Sequence, residues 1–224
     1  VDTKSPESDQ PVSLVKSFAF LTGYARCYLR QLDGCDRRSG EMAGSTLQGR
    51  VAFVTGGLRG IGLACAQRLS ADGAEVVVCD LDHPAAAQLV VASIAPSASY
   101  IRMDVTSESD WQVARDHVVA RHGKLHILVN NAGTDLTGAV ENIPLEDWRR
   151  IMAINVDGVF LGTRTFTPLL AASGGGVAGG ASIINVSSIM GLVGMSEVSA
   201  YNASKGAVRM FTKGIAMEFA AKRM

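Results

Sequence analysis

Short apolar runs alternate with helix-like segments from residue 47 onward, and this alternation limits the possible folds of the chain. The predicted strands are residues 51–55, 75–80, 100–104, 125–130 and 182–187, and the predicted helices are residues 61–71, 84–94, 110–122, 145–170 and a last helix that carries Tyr201. Strands that are apolar throughout are buried on both faces, as in parallel sheets. Strands separated by helices form a parallel sheet with helices on both sides. We therefore predict an α/β fold with a doubly wound parallel sheet, a Rossmann fold.

Charge and cysteine usage exclude several classes of protein. Lys plus Arg and Asp plus Glu each number 21, so the net charge is zero. A neutral chain has no general field that would attract nucleic acid or an anionic membrane. No run of about 18 apolar residues is present that could cross a bilayer. The four cysteines form no C-x-x-C pair and have no metal-ligand spacing with the four histidines. This usage predicts a reduced, cytoplasmic compartment and no metal site.

The first 46 residues differ in character from the rest of the chain. They are polar near the start and lack the strand and helix alternation that begins at residue 47. We predict that residues 1–46 are an N-terminal extension, either weakly ordered or the product of a misplaced gene start with Met42 as the true start. Residues 47–224 are predicted to form a nucleotide-binding Rossmann domain.

A glycine-rich loop joins the first predicted strand to the first predicted helix. Gly56, Gly60 and Gly62 permit a tight turn, a close approach of the backbone to a pyrophosphate and close packing of helix on strand. Arg59 and Ile61 complete the loop, and the helix that follows offers free N–H groups at its N-terminus. Glycines also mark ordinary turns, but this position between strand and helix favours dinucleotide binding.

Asp80 at the end of the second predicted strand bears on the choice of cofactor. A carboxylate there can accept hydrogen bonds from the adenosine ribose hydroxyls and would repel a 2′-phosphate. Arg59 has the opposite effect, because a guanidinium could pair with that phosphate. We predict NAD, with NADP as the weaker candidate. The alternative for Asp80 is a plain turn residue before Pro84.

Tyr201 and Lys205 are four residues apart in the last predicted helix, so they lie on one face. A free phenol keeps its proton up to about pH 10, but a nearby cation favours the phenolate and lowers the pKa. Tyr201 could thereby act as a general acid and base. Such pairs also occur by chance on solvated helix faces.

Three motifs occur in order: the glycine loop, Asn-Asn-Ala-Gly at residues 130–133, and Tyr-x-x-x-Lys at residues 201–205. With them, the chain resembles the short-chain dehydrogenase/reductase family, in its compact single-domain branch. The resemblance implies a nicotinamide dinucleotide whose adenine lies beside Asp104 and Val105. It further implies that the cofactor runs along Asn131, Ala132 and Gly133, and that Lys205 grips the nicotinamide ribose next to Tyr201.

The resemblance also implies a set of catalytic residues. Asn155 matches the asparagine that holds a water in a proton relay, and Ser188 matches the serine that binds the substrate oxygen, with Ser187 as a structural neighbour. Tyr201 would transfer the proton, and Lys205 would stabilise its phenolate. The apolar segment at residues 189–195 favours an uncharged secondary alcohol or ketone. The segments at residues 146–150 and 158–162 resemble family members that act on hydroxysteroids or cyclic alcohols.

Members of this family continue with two more strands and a lid over the substrate. We therefore expect the chain to be truncated at its C-terminus after the helix carrying Tyr201, and to be poorly active by itself. The full-length form is expected to be a homo-oligomer, as tetramers are usual in the family. Two alternatives remain open: a 3-oxoacyl carrier-protein reductase that uses NADPH, and a non-catalytic dinucleotide-binding protein or inactive fragment.

Overall fold

The computed structural model describes residues 47–177 and 179–222. The predicted N-terminal extension, residues 1–46, lies outside the described residues. Within the described part of the chain, five parallel strands form a single sheet flanked by helices. No helix in the described ranges has both the length and the apolar character needed to cross a membrane.

The sheet has the strand order β3-β2-β1-β4-β5, and every neighbouring pair is parallel. The strands are β1 (Val51–Thr55), β2 (Glu75–Asp80), β3 (Ser99–Arg102), β4 (Ile127–Asn130) and β5 (Ser182–Asn185). The order reverses direction at β1 and β4, the position where ligands bind in open sheets of this kind. This arrangement confirms the predicted Rossmann fold.

Among the residues that the structure describes, six α-helices connect or follow the strands. They are α1 (Gly60–Ala71), α2 (Pro84–Ile94), α3 (Glu108–His122), α4 (Leu145–Met152), α5 (Gly158–Gly174) and α6 (Ser199–Phe219). Short 3-10 turns occur at Val140–Asn142, Ile189–Gly191 and Ala220–Lys222. Helix α3 begins two residues earlier than predicted because Ser107 caps it, its hydroxyl accepting a hydrogen bond from the Asp110 N–H.

The two faces of β1 bury alternate residues in two separate cores. On one face, the Phe53 ring lies 5.0 Å from Phe166 of α5 and 6.1 Å from Trp111 of α3, centroid to centroid. On the other face, Val54 packs in a cluster with Ala66 of α1 and Ala87 of α2. Helices cover the sheet on both sides, which explains why the strands are apolar throughout.

The long helix predicted at residues 145–170 is not regular. A π-helical segment, Ala153–Asp157, lies between α4 and α5. The segment widens one turn and presents the Asn155 side chain to polar partners outside the helix. The prediction of a single long helix missed this irregularity, and the helical stretch continues to Gly174, beyond the predicted end at residue 170.

The third predicted strand was too long at its C-terminal end. Strand β3 ends at Arg102, and the chain turns at Asp104, whose carboxylate accepts from both the backbone N–H and the hydroxyl of Thr106. Such a side-chain bond to the residue two positions on favours a turn over continued pairing. Asp104 therefore lies just beyond the strand and not at its last position.

Candidate active site

The residues singled out in the sequence meet at the carboxyl-terminal edge of the sheet. The glycine loop follows β1, Asp80 ends β2, the Asn-Asn-Ala-Gly segment follows β4, and Ser188 follows β5. Parallel strands bring their carboxyl ends to one edge, so segments distant in sequence become neighbours. The last helix, α6, places Tyr201 and Lys205 beside the same edge.

The glycine loop is built so tightly that side chains are excluded at several positions. Gly56 and Gly60 have φ values of 62° and 55°, the left-handed region that favours glycine. A Cβ on Gly62 would lie 2.1 Å from the Gly56 carbonyl oxygen. Gly57, which the sequence argument did not single out, is similarly confined, because its Cβ would lie 2.6 Å from the Cβ of Val78.

The N-terminus of α1 carries free donors. Its N-cap residue, Arg59, makes no side-chain capping bond, and the first turn has no acidic residue. Unpaired N–H groups and the positive end of the helix dipole together favour an anion. A Cβ on Gly60 would meet nothing within 4 Å, so the approach to this helix end is open.

Asn131 fastens the glycine loop to the segment after β4. Its side-chain amide donates to the carbonyl oxygens of Thr55 and Gly56, at 2.9 and 3.2 Å. The Thr55 hydroxyl in turn accepts from the backbone N–H groups of Asn131 and Ala132, each at 2.9 Å. The two segments predicted to line the cofactor are therefore locked together through backbone and side chain.

Asp80 is held in place by backbone donors. Only 8% of the residue is exposed, and its carboxylate accepts from the N–H groups of Leu58, at 3.3 Å, and Leu81, at 2.9 Å. The Arg59 guanidinium lies 3.4 Å from the same carboxylate, but its side chain is 72% exposed. A buried anion and an exposed cation thus share this corner of the site.

Tyr100, which the sequence argument missed, supports the same corner. Its hydroxyl donates to the backbone carbonyls of Asp80 and Asp82. Burial, followed by the charges of Asp80 and Asp82, raises the pKa of Tyr100 to about 12. The phenol therefore keeps its proton at any physiological pH and stays a donor to the backbone that carries Asp80.

Asp104 and Val105 form the rim beyond β3. The Asp104 carboxylate is engaged by the backbone and hydroxyl of Thr106, as described above. The Val105 carbonyl accepts from the indole N–H of Trp111 at 2.8 Å, and a Cβ on Gly158 would lie 3.0 Å from a methyl of Val105. These contacts fix the rim by packing it on the start of α5.

Asn155 is fully buried and satisfied on both sides of its amide. Its oxygen accepts from the Thr134 N–H at 2.8 Å. Its nitrogen donates to the Thr134 carbonyl at 2.9 Å and to the Ser204 hydroxyl at 3.0 Å. The π segment thereby joins the loop after β4 to the helix that carries the tyrosine.

Lys205 is almost wholly enclosed, with 5% of the residue exposed. Its ammonium donates to the Val186 carbonyl at 2.9 Å and lies 5.8 Å from the centre of the Tyr201 ring. Burial lowers the pKa of Lys205. A Cβ on Gly133 would lie 3.4 Å from this ammonium and 3.1 Å from the Asn155 oxygen, so the three residues converge.

The two serines after β5 have different partners. The Ser187 hydroxyl donates to the Lys205 carbonyl at 2.8 Å, a contact that ties β5 to α6. The Ser188 hydroxyl accepts from the Met190 N–H at 3.1 Å, which caps the short 3-10 turn. A serine hydroxyl that accepts one bond retains its proton to donate elsewhere.

Sequence reasoning did not identify the partners that hold the catalytic candidates. Thr134, Ser204 and the Val186 carbonyl belong to this group, as do Asn185 and Thr212. Asn130 donates to the Asn185 oxygen at 2.9 Å, and Asn185 donates to the Thr212 hydroxyl at 2.9 Å. An Asn at the end of each of two neighbouring strands was the available signal for these contacts.

Known proteins resemble this chain over most of its length. The profile of the family described as short chain dehydrogenase matches residues 50–224. A 3-alpha-(or 20-beta)-hydroxysteroid dehydrogenase of Mycobacterium tuberculosis is 43% identical over 173 residues, which are 77% of this chain and 64% of the relative. An NADP-dependent (R)-specific alcohol dehydrogenase of Lentilactobacillus kefiri is 39% identical over 79% of this chain and 69% of the relative.

A solved structure has the same architecture. The crystal structure of 3-ketoacyl-(acyl-carrier-protein) reductase from Brucella melitensis, complexed with NADH, superposes with a TM-score of 0.75 and 35% identity over 80% of this chain and 73% of that one. This chain spans just under two thirds of the length of the mycobacterial relative. The profile match, the identities and the shared fold agree, and the chain belongs to the short-chain dehydrogenase family.

Proposed function

We propose that this protein transfers a hydride between NAD(H) and an uncharged secondary alcohol or ketone. The observation that carries the proposal is the buried Lys205 ammonium beside the Tyr201 ring. Gly133 and Asn155 adjoin that ammonium at the strand edge that also bears the glycine loop. A buried cation beside a phenol is the arrangement that proton transfer at neutral pH requires.

The residues present fit a dinucleotide. The open N-terminus of α1 suits a pyrophosphate, and Gly56, Gly60 and Gly62 leave room for the backbone to approach it. When bound, the nicotinamide supplies the hydride chemistry at its C4 carbon. Gly133 lies against Asn155 and Lys205, where a side chain would obstruct a cofactor that passes along the β4 segment.

We propose NAD as the cofactor in preference to NADP. The Asp80 carboxylate is fixed by two backbone donors, so it cannot easily turn away from a 2′-phosphate. Arg59 is largely exposed and already faces Asp80 and Asp82. The NADH complex of the Brucella reductase supports this choice, whereas the printed name of the Lentilactobacillus relative favours NADP.

Each catalytic residue has one role in the proposed reaction. Ser188 donates a hydrogen bond to the substrate oxygen, and Tyr201 takes the proton from that oxygen in oxidation or returns it in reduction. Lys205 places its ammonium beside the Tyr201 ring. Asn155 fixes the positions of the Thr134 loop and of Ser204 through its hydrogen bonds. It also keeps in place the path by which the proton would pass Lys205.

The substrate side of the site is apolar. Four large apolar side chains follow Ser188 and are more than half exposed: Ile189, Leu192, Val193 and Met195. Such a surface suits an uncharged, bulky alcohol, in agreement with the hydroxysteroid named for the mycobacterial relative. The Brucella neighbour favours a second candidate, reduction of a 3-oxoacyl group on a carrier protein.

We further propose that the protein acts in the cytoplasm and that it is a homo-oligomer. Cys65 and Cys79 are both free thiols, as a reducing compartment allows. The exposed Phe160 of α5 packs edge to face on Phe211 of α6, an aromatic pair on the outer side of the helices that a second copy could cover. Size measurement by light scattering tests the assembly.

Replacement of the phenol tests the proposed chemistry. Tyr201→Phe is expected to lower kcat by about 1,000-fold or more, because the ring remains but the transferable proton is lost. NADH affinity, measured by fluorescence titration, should stay within about threefold of the wild-type value. Turnover that survives the substitution, or NADH binding lost together with turnover, would contradict the assignment of Tyr201.

A further inference from the structure

Glu197 has a backbone conformation that L-residues rarely adopt. Its φ is 60°, and it is the one non-glycine residue with positive φ among residues 47–177 and 179–222. A side chain in this region is strained, and such strain persists only where the surroundings hold it. Glu197 precedes Tyr201 by one helical turn, at the end of the segment that leads from β5 to α6.

Glu197 is held by a hydrogen bond from the loop that follows a different strand, β4. The Gly138 N–H donates to the Glu197 carbonyl at 2.7 Å, the bond that we name the loop clasp. Gly138 lies in the segment that follows β4. The clasp therefore joins the far ends of two loops that leave neighbouring strands, β4 and β5, at the site.

Both loops are also anchored at their near ends. The β4 loop is fixed by the bonds between Thr134 and Asn155. The β5 loop is fixed by Asn202, whose amide donates to the carbonyls of Met190 and Val193, at 2.6 and 2.7 Å. With the clasp closed, the loop between Ser188 and Tyr201 is fixed at both ends. We call this loop the wall.

We propose that Gly138 and Glu197 are positioning residues, and that their clasp sets the width of the substrate cleft. The inference rests on the proposed function. The exposed apolar side chains of Leu192, Val193 and Met195 lie on the clasped loop. A clasped wall presents them to a bulky apolar substrate at a fixed distance, whereas a small alcohol would contact only Ser188 and Tyr201.

The two residues allow the clasp to be opened without removing any side chain that faces the substrate. Gly138 has no left-handed φ, and a Cβ there would make an ordinary contact of 3.7 Å with Ile143. Gly138→Ala keeps the N–H donor, whereas Gly138→Pro removes it. At the other end, Glu197→Gly tolerates the left-handed backbone, and Glu197→Val opposes it strongly.

The experiment compares steady-state oxidation of cyclohexanol and propan-2-ol by NAD in these four variants. We expect Gly138→Pro and Glu197→Val to raise KM for cyclohexanol at least fivefold, with kcat within twofold. KM for propan-2-ol and the Kd for NADH should stay within twofold of the wild-type values. Gly138→Ala and Glu197→Gly should match the wild-type protein, because the clasp stays closed in both. The two variants that open the clasp should raise KM alone, because they lose uniform substrate binding.

An equal rise in KM for both alcohols, or a rise in Gly138→Ala as large as in Gly138→Pro, would overturn the proposal. Amide hydrogen exchange separates the clasp from the activity. The Gly138 N–H should exchange slowly in the wild-type protein and rapidly in Glu197→Val. If the wild-type protein oxidises no alcohol, the proposed function fails, and protection of the Gly138 amide alone then decides whether the clasp exists.

Discussion

The two halves of the site differ in the chemical groups that form their surfaces. In the half proposed to bind the cofactor, called the nucleotide half and formed by β1, β2 and the loops after them, main chain and glycine make the surface. In the half that holds the proposed catalytic residues, called the catalytic half and formed by β4, β5 and the helices after them, buried amides, hydroxyls and one ammonium make it. Substitutions that add atoms should therefore damage the nucleotide half most. Substitutions that remove atoms should damage the catalytic half most.

The largest effect is expected where an atom is added to the nucleotide half. Gly62→Ala would place a Cβ 2.1 Å from the Gly56 carbonyl oxygen and 2.5 Å from the Asn131 amide. Both neighbours are fixed, so we expect a loss of about 3 kcal/mol in unfolding free energy and at least a hundredfold weaker NADH binding. Urea denaturation and fluorescence titration measure the two quantities.

Gly214→Ala is the matched control for that substitution. Gly214 lies in α6, and a Cβ there would meet nothing within 4 Å. Alanine should stabilise the helix by up to about 1 kcal/mol. If Gly62→Ala and Gly214→Ala had the same effect, the contrast between the two halves would be wrong.

Removal of atoms should be the damaging change in the catalytic half. Asn155→Ala leaves the Thr134 backbone and the Ser204 hydroxyl without their buried partner. Unpaired buried groups of this kind cost about 2 kcal/mol, and we expect kcat to fall about a hundredfold as the loop shifts. Thermal denaturation and steady-state kinetics test both effects.

Ser204→Ala is a milder test of the same hydrogen-bond network. It removes one of the hydrogen bonds made by Asn155 and keeps the two between Asn155 and Thr134. It should cost about 1 kcal/mol, less than Asn155→Ala. A larger loss for Ser204→Ala than for Asn155→Ala would show that the asparagine is not the centre of this network.

The contrast between the halves also explains what the sequence could predict. Glycine spacing after a strand is a local pattern, so the glycine loop and, at the end of the next strand, Asp80 could be singled out from the sequence. Tyr201 and Lys205 share one helix and could be singled out in the same way. Asn155 depends on Thr134, 21 residues before it, and on Ser204, 49 residues after it. No local pattern pairs residues so far apart, and the resemblance alone pointed to Asn155.

A charge change in the nucleotide half should have a moderate effect on cofactor choice. Asp80→Asn keeps the shape of the side chain and an acceptor oxygen for one of the two backbone donors, and it removes the negative charge. We expect the ratio of NADPH to NADH affinity to rise 10-fold to 100-fold, on the order of 1–3 kcal/mol. Fluorescence titrations with both nucleotides measure it.

The gain in NADPH affinity should shrink when Arg59→Ala is added to Asp80→Asn, because the guanidinium then no longer pairs with the phosphate. An unchanged ratio in Asp80→Asn would show that the carboxylate does not select the cofactor.

The smallest effect on stability is expected from His126, which comes directly before β4 and bonds to the first residue of β1. Its Nδ1 accepts from the Val51 N–H at 3.1 Å, so the ring must be neutral. Burial, followed by the charges of Arg50 and Lys124, lowers the pKa of His126. Stability should be full above about pH 6.5, the value for a free histidine, and fall as the pH drops towards the lowered pKa.

The expected loss is about 1 kcal/mol, measured by urea denaturation between pH 5 and pH 8. His126→Asn supplies an acceptor that does not titrate in this range, so its curve should be flatter. His117, whose pKa burial also lowers, contributes equally to both proteins, and the difference between the curves isolates His126. Parallel curves would contradict the role of the imidazole.

The π segment at Ala153–Asp157 has a consequence for the phase of the long helix. Each residue of an α-helix advances by about 100°, so one extra residue in a turn rotates everything after it by that angle. The rotation lets Asn155 reach Thr134 and Ser204 while Gly162 faces the indole of Trp111, where a Cβ would lie 2.6 Å from the ring. Deletion of one residue from the segment would restore a regular helix and turn a larger side chain towards that indole. The irregular turn thus lets one helical stretch contact both the Thr134 loop at the site and the Trp111 indole in the core.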